Sequence, residues 1–251
     1  MRNIIAETRN LTTLAQTAEA LRTRATDLPG IAAIVGKPGS GKTQGCVWLR
    51  DQVDAIYMKA NSFWTPRSML DCLCVETGVD TRGLRGVVID RLIERLAISY
   101  RAIIIDEGDY LVEKISLLDA LRDIHDLSGA PLLVVGMQDF LAKVKRREQF
   151  ASRIARTIQF GDATIEDVRV VAKACCEVEL ADDLLARIVS SCAASMRRIK
   201  VSLAQVEGWA LRKDLECVDS STWGSQVFDG AVEPSVAGSK KSKTGKAVRH
   251  E

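Results

Sequence analysis

Histidine is almost missing from this chain: there are two in 251 residues, and the seven cysteines at 46, 72, 74, 175, 176, 192 and 217 never form a C-x-x-C pair. A structural zinc site needs four such ligands at close, regular spacing, so zinc is excluded. The odd set of thiols reads instead as small apolar residues kept reduced. No run approaches the roughly 18 apolar residues of a membrane span. Met1-Arg2-Asn3-Ile4-Ile5-Ala6-Glu7 likewise lacks the apolar core of a secretion signal, so no membrane partner and a cytoplasmic location are expected. Large net charge is also lacking. The formal total is +2, and residues 232 to 251 hold five cations against two acids, which leaves the remaining body near neutral. Whole-molecule charge gives no reason to expect nucleic-acid binding, and any such contact must come from local patches.

What is present is a soluble, globular composition, 47% apolar and 27% charged, long enough for an α/β domain with a small appendage. Residues 7 to 26 carry Leu11, Leu14, Ala15, Ala18 and Leu21 at helical spacing, until Asp27-Leu28-Pro29-Gly30 breaks the pattern. Apolar runs suited to buried strands recur at 31 to 35, 54 to 60, 101 to 105 and 131 to 136, with a shorter one at 157 to 160 and helical patterns between them. Alternating strands and helices predict a five-stranded parallel sheet sandwiched by helices, with chemistry at the strands' carboxyl ends. After Gly161 the pattern turns wholly helical, over roughly 164 to 177, 181 to 194 and 196 to 213, the second helix capped by Asp182 or Asp183. The expected division is an N-terminal helix and linker (1 to 30), an α/β nucleotide-binding domain (31 to 161), a small all-helical lid (162 to 215) and a disordered, low-complexity basic tail (216 to 251).

Residues 36 to 43 read Gly36-Lys37-Pro38-Gly39-Ser40-Gly41-Lys42-Thr43, a complete G-x-x-x-x-G-K-[ST] phosphate loop fed by the run Ile31-Ala32-Ala33-Ile34-Val35. Glycines let the backbone close around phosphates with N–H groups inward, and the following helix turns its positive end to the same anion. Lys42 reaches the β and γ phosphates and Thr43 offers its hydroxyl to Mg²⁺, so ATP with Mg²⁺ is expected. Strand 101 to 105 ends in Asp106-Glu107. Asp106 is suited to holding Mg²⁺ through water, and Glu107 to polarising the attacking water as general base.

Gln138, at the end of the fourth strand, is either a γ-phosphate contact or a simple loop residue. The stretch from Lys143 to Arg156 holds six cations against one anion, and Lys143, Lys145 and Arg146 fit a solvated helix face. Arg153 lies just before the last strand, where an arginine can project onto a neighbouring subunit's γ-phosphate; Arg156 is the alternative. Arg197, opening the last long helix, is placed to fold over the nucleotide and couple it to lid position.

This order of features resembles an AAA+ ATPase of the initiator-like branch. Pro29 to Gly36, Lys59-Ala60-Asn61-Ser62-Phe63-Trp64-Thr65-Pro66-Arg67-Ser68, Ile105-Asp106-Glu107, Leu121 to Asp126 and Val134 to Met137 are similar to the B protein of Mu-like transposable phages and its transposon relatives. The resemblance implies an AAA+ P-loop fold and an ATPase that polymerises on double-stranded DNA as a filament or ring. It also implies delivery of that DNA to a transposase, in the bacterial host cytoplasm if the gene is a phage's. The Mu family's protein has a helix-turn-helix domain before its ATPase core, and the thirty residues before the core here are not expected to hold one. Contacts to the DNA phosphate backbone are expected from Lys59 and Arg67, flanking Trp64, with Lys145 and Arg146 behind them. Alternatively, Trp64 is packing and these charges are solvated. A helicase loader or initiator shares the whole motif set, and a nucleotide-gated scaffold without DNA binding is a third reading.

Overall fold

In the computed structural model, residues 1–25 and 27–232 are described. The elements run α1 (Arg9–Arg22), β1 (Ile31–Gly36), α2 (Lys42–Val53), β2 (Ile56–Lys59), α3 (Pro66–Thr77), α4 (Arg85–Ser99), β3 (Ile103–Asp106), α5 (Asp109–Glu113), α6 (Ile115–Ser128), β4 (Leu132–Gly136), α7 (Phe140–Val144), α8 (Glu148–Ala151) and β5 (Ile154–Phe160). The lid follows as α9 (Ile165–Cys175), β6 (Glu179–Leu180), α10 (Asp182–Ser191), α11 (Met196–Arg212), β7 (Cys217–Val218) and α12 (Ser220–Trp223).

The five-stranded sheet is parallel, in the order β2-β3-β4-β1-β5. Strand β1 is buried along its whole length because helices cover both faces, which is why its sequence is a continuous apolar run. Ile31, Ala33 and Val35 face a core built with α3, α4 and α6, while Ala32 and Ile34 face α1 and α2. The α1 stripe of Leu11, Leu14, Ala18 and Leu21 is buried in that second core. At the edge, β5 has a mostly exposed first half, so it carries no apolar run before Ile158 and begins three residues earlier than its sequence suggests.

The lid has its own core. Helix α9 starts with a reciprocal capping box between Thr164 and Asp167. The cap expected from Asp182 or Asp183 is not made: Ala181 holds the N-cap position, Asp182 pairs with Arg169, and Asp183 accepts from the Ser220 backbone N–H. The pair β6 and β7 adds a short parallel ladder to the helices.

Part of the tail expected from residue 216 is folded. Val218, Trp223 and Phe228 are buried in the lid core, so residues 217 to 232 belong to the lid; the rest of the expected tail lies outside the described residues. Trp223, 1% exposed, stacks on Phe228 at 5.5 Å, meets Trp209 edge-on at 5.1 Å, and donates from its indole to the Gln226 carbonyl. Trp223→Ala should therefore cost about 3–5 kcal/mol, read as a lower denaturant midpoint. An unchanged midpoint would mean the segment is not part of the folded lid.

Candidate active site

The phosphate loop joins β1 to α2 at the carboxyl end of the sheet, beside the point where the strand order reverses. Gly39 and Gly41 have φ of 80° and 95°, the left-handed region that favours glycine. A side chain at Gly39 would also come within 2.6 Å of Ser195 Oγ in the lid. Lys42 Nζ donates to the carbonyls of Gly36 (2.6 Å) and Lys37 (2.9 Å). Burial lowers the Lys42 pKa, against the opposing pull of Asp106, Glu107 and Asp109. Among the described residues, the buried side-chain polar atom without a partner is Ser40 Oγ, in the middle of this loop. A phosphate oxygen held by the loop would satisfy it.

Strand β3 brings Asp106 to the same place, 2% exposed. Its Oδ1 accepts from the Glu107 N–H at 2.9 Å and its Oδ2 from the Tyr57 hydroxyl at 3.1 Å. Burial, and then Asp106 itself, push the Tyr57 pKa up, so the phenol stays a donor. Glu107 adopts φ of 55°, uncommon for a residue with a side chain. Thr43 and Asp106 offer hard oxygens, a sparse set that suits Mg²⁺, which completes its shell with phosphates and water. When bound, Mg²⁺ would neutralise phosphate charge.

A cavity of about 560 Å³ is lined by Lys42 and Thr43 from the loop, by Asp106 and Glu107, and by Arg197 from the lid. That volume suits a nucleotide. The lid is closed on the loop, since the Arg197 N–H donates to the Gly39 carbonyl at 3.1 Å.

Other expected residues lie elsewhere. Gln138 is exposed and does not line the cavity; Gly136 and Met137 form that wall, and the Met137 N–H is held by Asp109. Lys59 lines the nucleotide cavity and not a separate DNA loop. It pairs in register with Asp106, and its Nζ stands 3.7 Å from Glu107 Oε1. Trp64 is 6% exposed and packs in the core, while its neighbour Phe63 is 89% exposed. Lys114 Nζ donates to the carbonyls of Ser62 and Trp64, which fixes the turn that presents Phe63. Arg67 is exposed beside Asp71, 3.6 Å away. Lys145 and Arg146 are exposed after α7, and among the described residues neither makes an ion pair.

Arg153 sits at the opposite end of the sheet. Its carbonyl accepts from the Ile31 N–H at the start of β1, so the length of β1, about 17 Å, separates it from its own phosphate loop. Its guanidinium is paired with Asp126 of α6 at 3.0 Å. The pair is partly exposed and worth at most about 1 kcal/mol, a weak restraint on the side chain. Arg156 is exposed on β5.

Sheet order, phosphate loop and helical lid together define the α/β P-loop fold of AAA ATPases. Residues 25–144 match the family model described as an AAA domain, which implies nucleotide binding, typically with Mg²⁺, and NTPase activity. No curated protein matches the chain. Among solved structures, it is similar to the Aeropyrum pernix ORC1 protein in complex with DNA (23% identity, 86% of this chain and 63% of that one, TM-score 0.56). Pyrobaculum aerophilum Cdc6p is similar too (18%, 86% and 66%, TM-score 0.61). So is the Thermotoga maritima RuvB Holliday junction branch migration motor (15%, 86% and 67%, TM-score 0.59). The chain thus spans less than two thirds of the length of the ORC1 and Cdc6p chains, and at these identities the likeness is one of fold. Among the described residues, no helix is long and apolar enough to cross a membrane.

Proposed function

We propose that this chain is an ATPase whose nucleotide state controls its assembly on double-stranded DNA, which it delivers to a transposase, as the resemblance to Mu-like B proteins implies. The observation that carries the assembly is the position of Arg153, at the sheet edge away from its own phosphate loop. An arginine there cannot reach the site of its own chain, but it can complete the site of a second copy. In the completed site Glu107 takes a proton from the attacking water, Lys42 and Arg197 hold the phosphates, and the neighbour's Arg153 balances the charge that develops. The DNA half of the reading is supported by the fold shared with ORC1, solved in complex with DNA, and with RuvB, a Holliday junction motor. Phe63, rigidly presented and solvent-facing, joins Arg67, Lys145 and Arg146 as a DNA contact, whereas Lys59 works at the nucleotide. Fold similarity to ORC1 and Cdc6p also favours a second reading, an initiator or helicase loader, in which a helicase replaces the transposase.

Sedimentation with random duplex DNA tests the proposal. Co-pelleting should require ATP, persist in Glu107→Gln, fall about tenfold in affinity in Phe63→Ala/Arg67→Ala, and weaken steeply with salt. If no nucleotide state binds duplex DNA at low salt, the DNA-capture function is wrong. Addition of the transposase should raise ATP turnover; a response to a replicative helicase alone would select the loader.

A further inference from the structure

Besides the large cavity, a small apolar one of about 30 Å³ lies on the other side of the phosphate loop, walled by α1, β5 and the lid. The two cavities share four residues, Gly41, Gln44, Met196 and Lys200, and Lys200 is the only one of these that carries a charge. Lys200 follows Arg197 by three positions on α11, so the two cations lie on one face of the helix that closes over the loop. Lys200 Nζ donates to Gln44 Oε1 at 2.9 Å. Gln44 is the third residue of α2, whose first turn presents free N–H groups toward bound phosphate.

The lysine is partly buried along its stem, its ammonium meets a neutral amide at the solvent-exposed end, and among the described residues it makes no ion pair. Asp167, the acid lining the small cavity, is engaged by the Arg9 and Thr164 N–H groups and by the Thr164 hydroxyl. A cation held only by an amide, at the opening between two cavities, is readily transferred to an anion.

Building on the nucleotide site proposed above, we propose that Lys200 is a second lid cation that binds the nucleotide at its α and β phosphates. Gln44 holds it in place until the nucleotide arrives. Arg197 stands at the start of α11, where its N–H meets the loop's Gly39, while Lys200 stands one turn further along, over the start of α2. Its contact is therefore common to diphosphate and triphosphate, and it makes lid closure respond to any nucleotide and not to the γ phosphate alone.

The test is equilibrium binding of fluorescent ADP and ATP with Mg²⁺ to the full chain. Lys200→Ala should weaken both by about tenfold and to the same extent, the worth of one charge-assisted hydrogen bond. Lys200→Arg should retain wild-type affinity for both. Lys200→Gln removes the charge but keeps an N–H donor, one bond shorter, for Gln44, so it should lose affinity as alanine does; retained affinity in Lys200→Gln would show that the residue is only a latch, and would overturn the proposal. So would unchanged affinity in Lys200→Ala, or a loss confined to ATP. Should alanine lower the melting temperature of the nucleotide-free protein, the glutamine variant gives the answer. Lys42→Ala separates the two levels: if it too binds normally, the nucleotide site itself is wrong, whereas its loss of binding beside a normal Lys200→Ala sinks only the role of Lys200.

Discussion

Glu107→Gln should lower steady-state ATP hydrolysis by about 10²-fold or more while leaving ATP affinity within about threefold. The side chain sits on the last turn of chain leaving β3, and its partner there is Lys59, at ion-pair distance and without a hydrogen bond. An amide of the same shape keeps the left-handed backbone of residue 107 and the Asp106 bond to its N–H, so the fold and the proposed Mg²⁺ ligands, Thr43 and Asp106, are undisturbed. What is removed is the ability to accept the proton of the attacking water. Phosphate release and binding of labelled ATP, measured on the same preparation, check both halves. Hydrolysis within a few-fold of wild type would mean that another group takes the proton, and loss of binding would mean that the residue is structural.

Arg153→Ala should lose about 10³-fold in turnover, as should Lys42→Ala, yet an equimolar mixture of the two should recover activity. With random assembly, an intact loop meets an intact arginine at about one quarter of the contacts, so recovery toward a quarter of the wild-type rate is expected. The argument is geometric, since Arg153 lies at the amino ends of the strands and Lys42 at their carboxyl ends. The Asp126 partner does not oppose it, because a partly exposed pair opens at little cost. A mixture no more active than its parts would place Arg153 outside the reaction.

Much of the site is legible in sequence because it is made of contiguous residues. The loop from Gly36 to Thr43 and the pair Asp106-Glu107 are fixed by local backbone geometry after strands that announce themselves as apolar runs. Lys59 is different: its place at the nucleotide depends on the register of β2 against β3, a pairing between residues 47 positions apart, and sequence alone leaves it free to serve the loop that follows. Phe63 and Trp64 are adjacent aromatics, and which one is buried is decided by the elements packed around the turn. Gln138 stands one residue beyond the cavity wall, within the uncertainty of any strand end. Lys200 was hidden because its meaning depends on how the lid docks. The segment from Cys217 to Phe228 looks structureless since Ser, Gly and Thr dominate its composition, yet Val218, Trp223 and Phe228, without any regular period, anchor it.

The opposite placement of loop and arginine has a counting consequence. With Arg153 serving a neighbour, contact between copies runs head to tail, and such a row is open at both ends unless it closes on itself. An open row of n copies contains n − 1 completed sites. A pair would then work at about half the per-copy rate of a long row, and the copy whose loop faces no arginine would keep its triphosphate uncleaved. Every open row would therefore end in a loop that keeps its triphosphate, and that end is the one at which the arginine of a further copy is received.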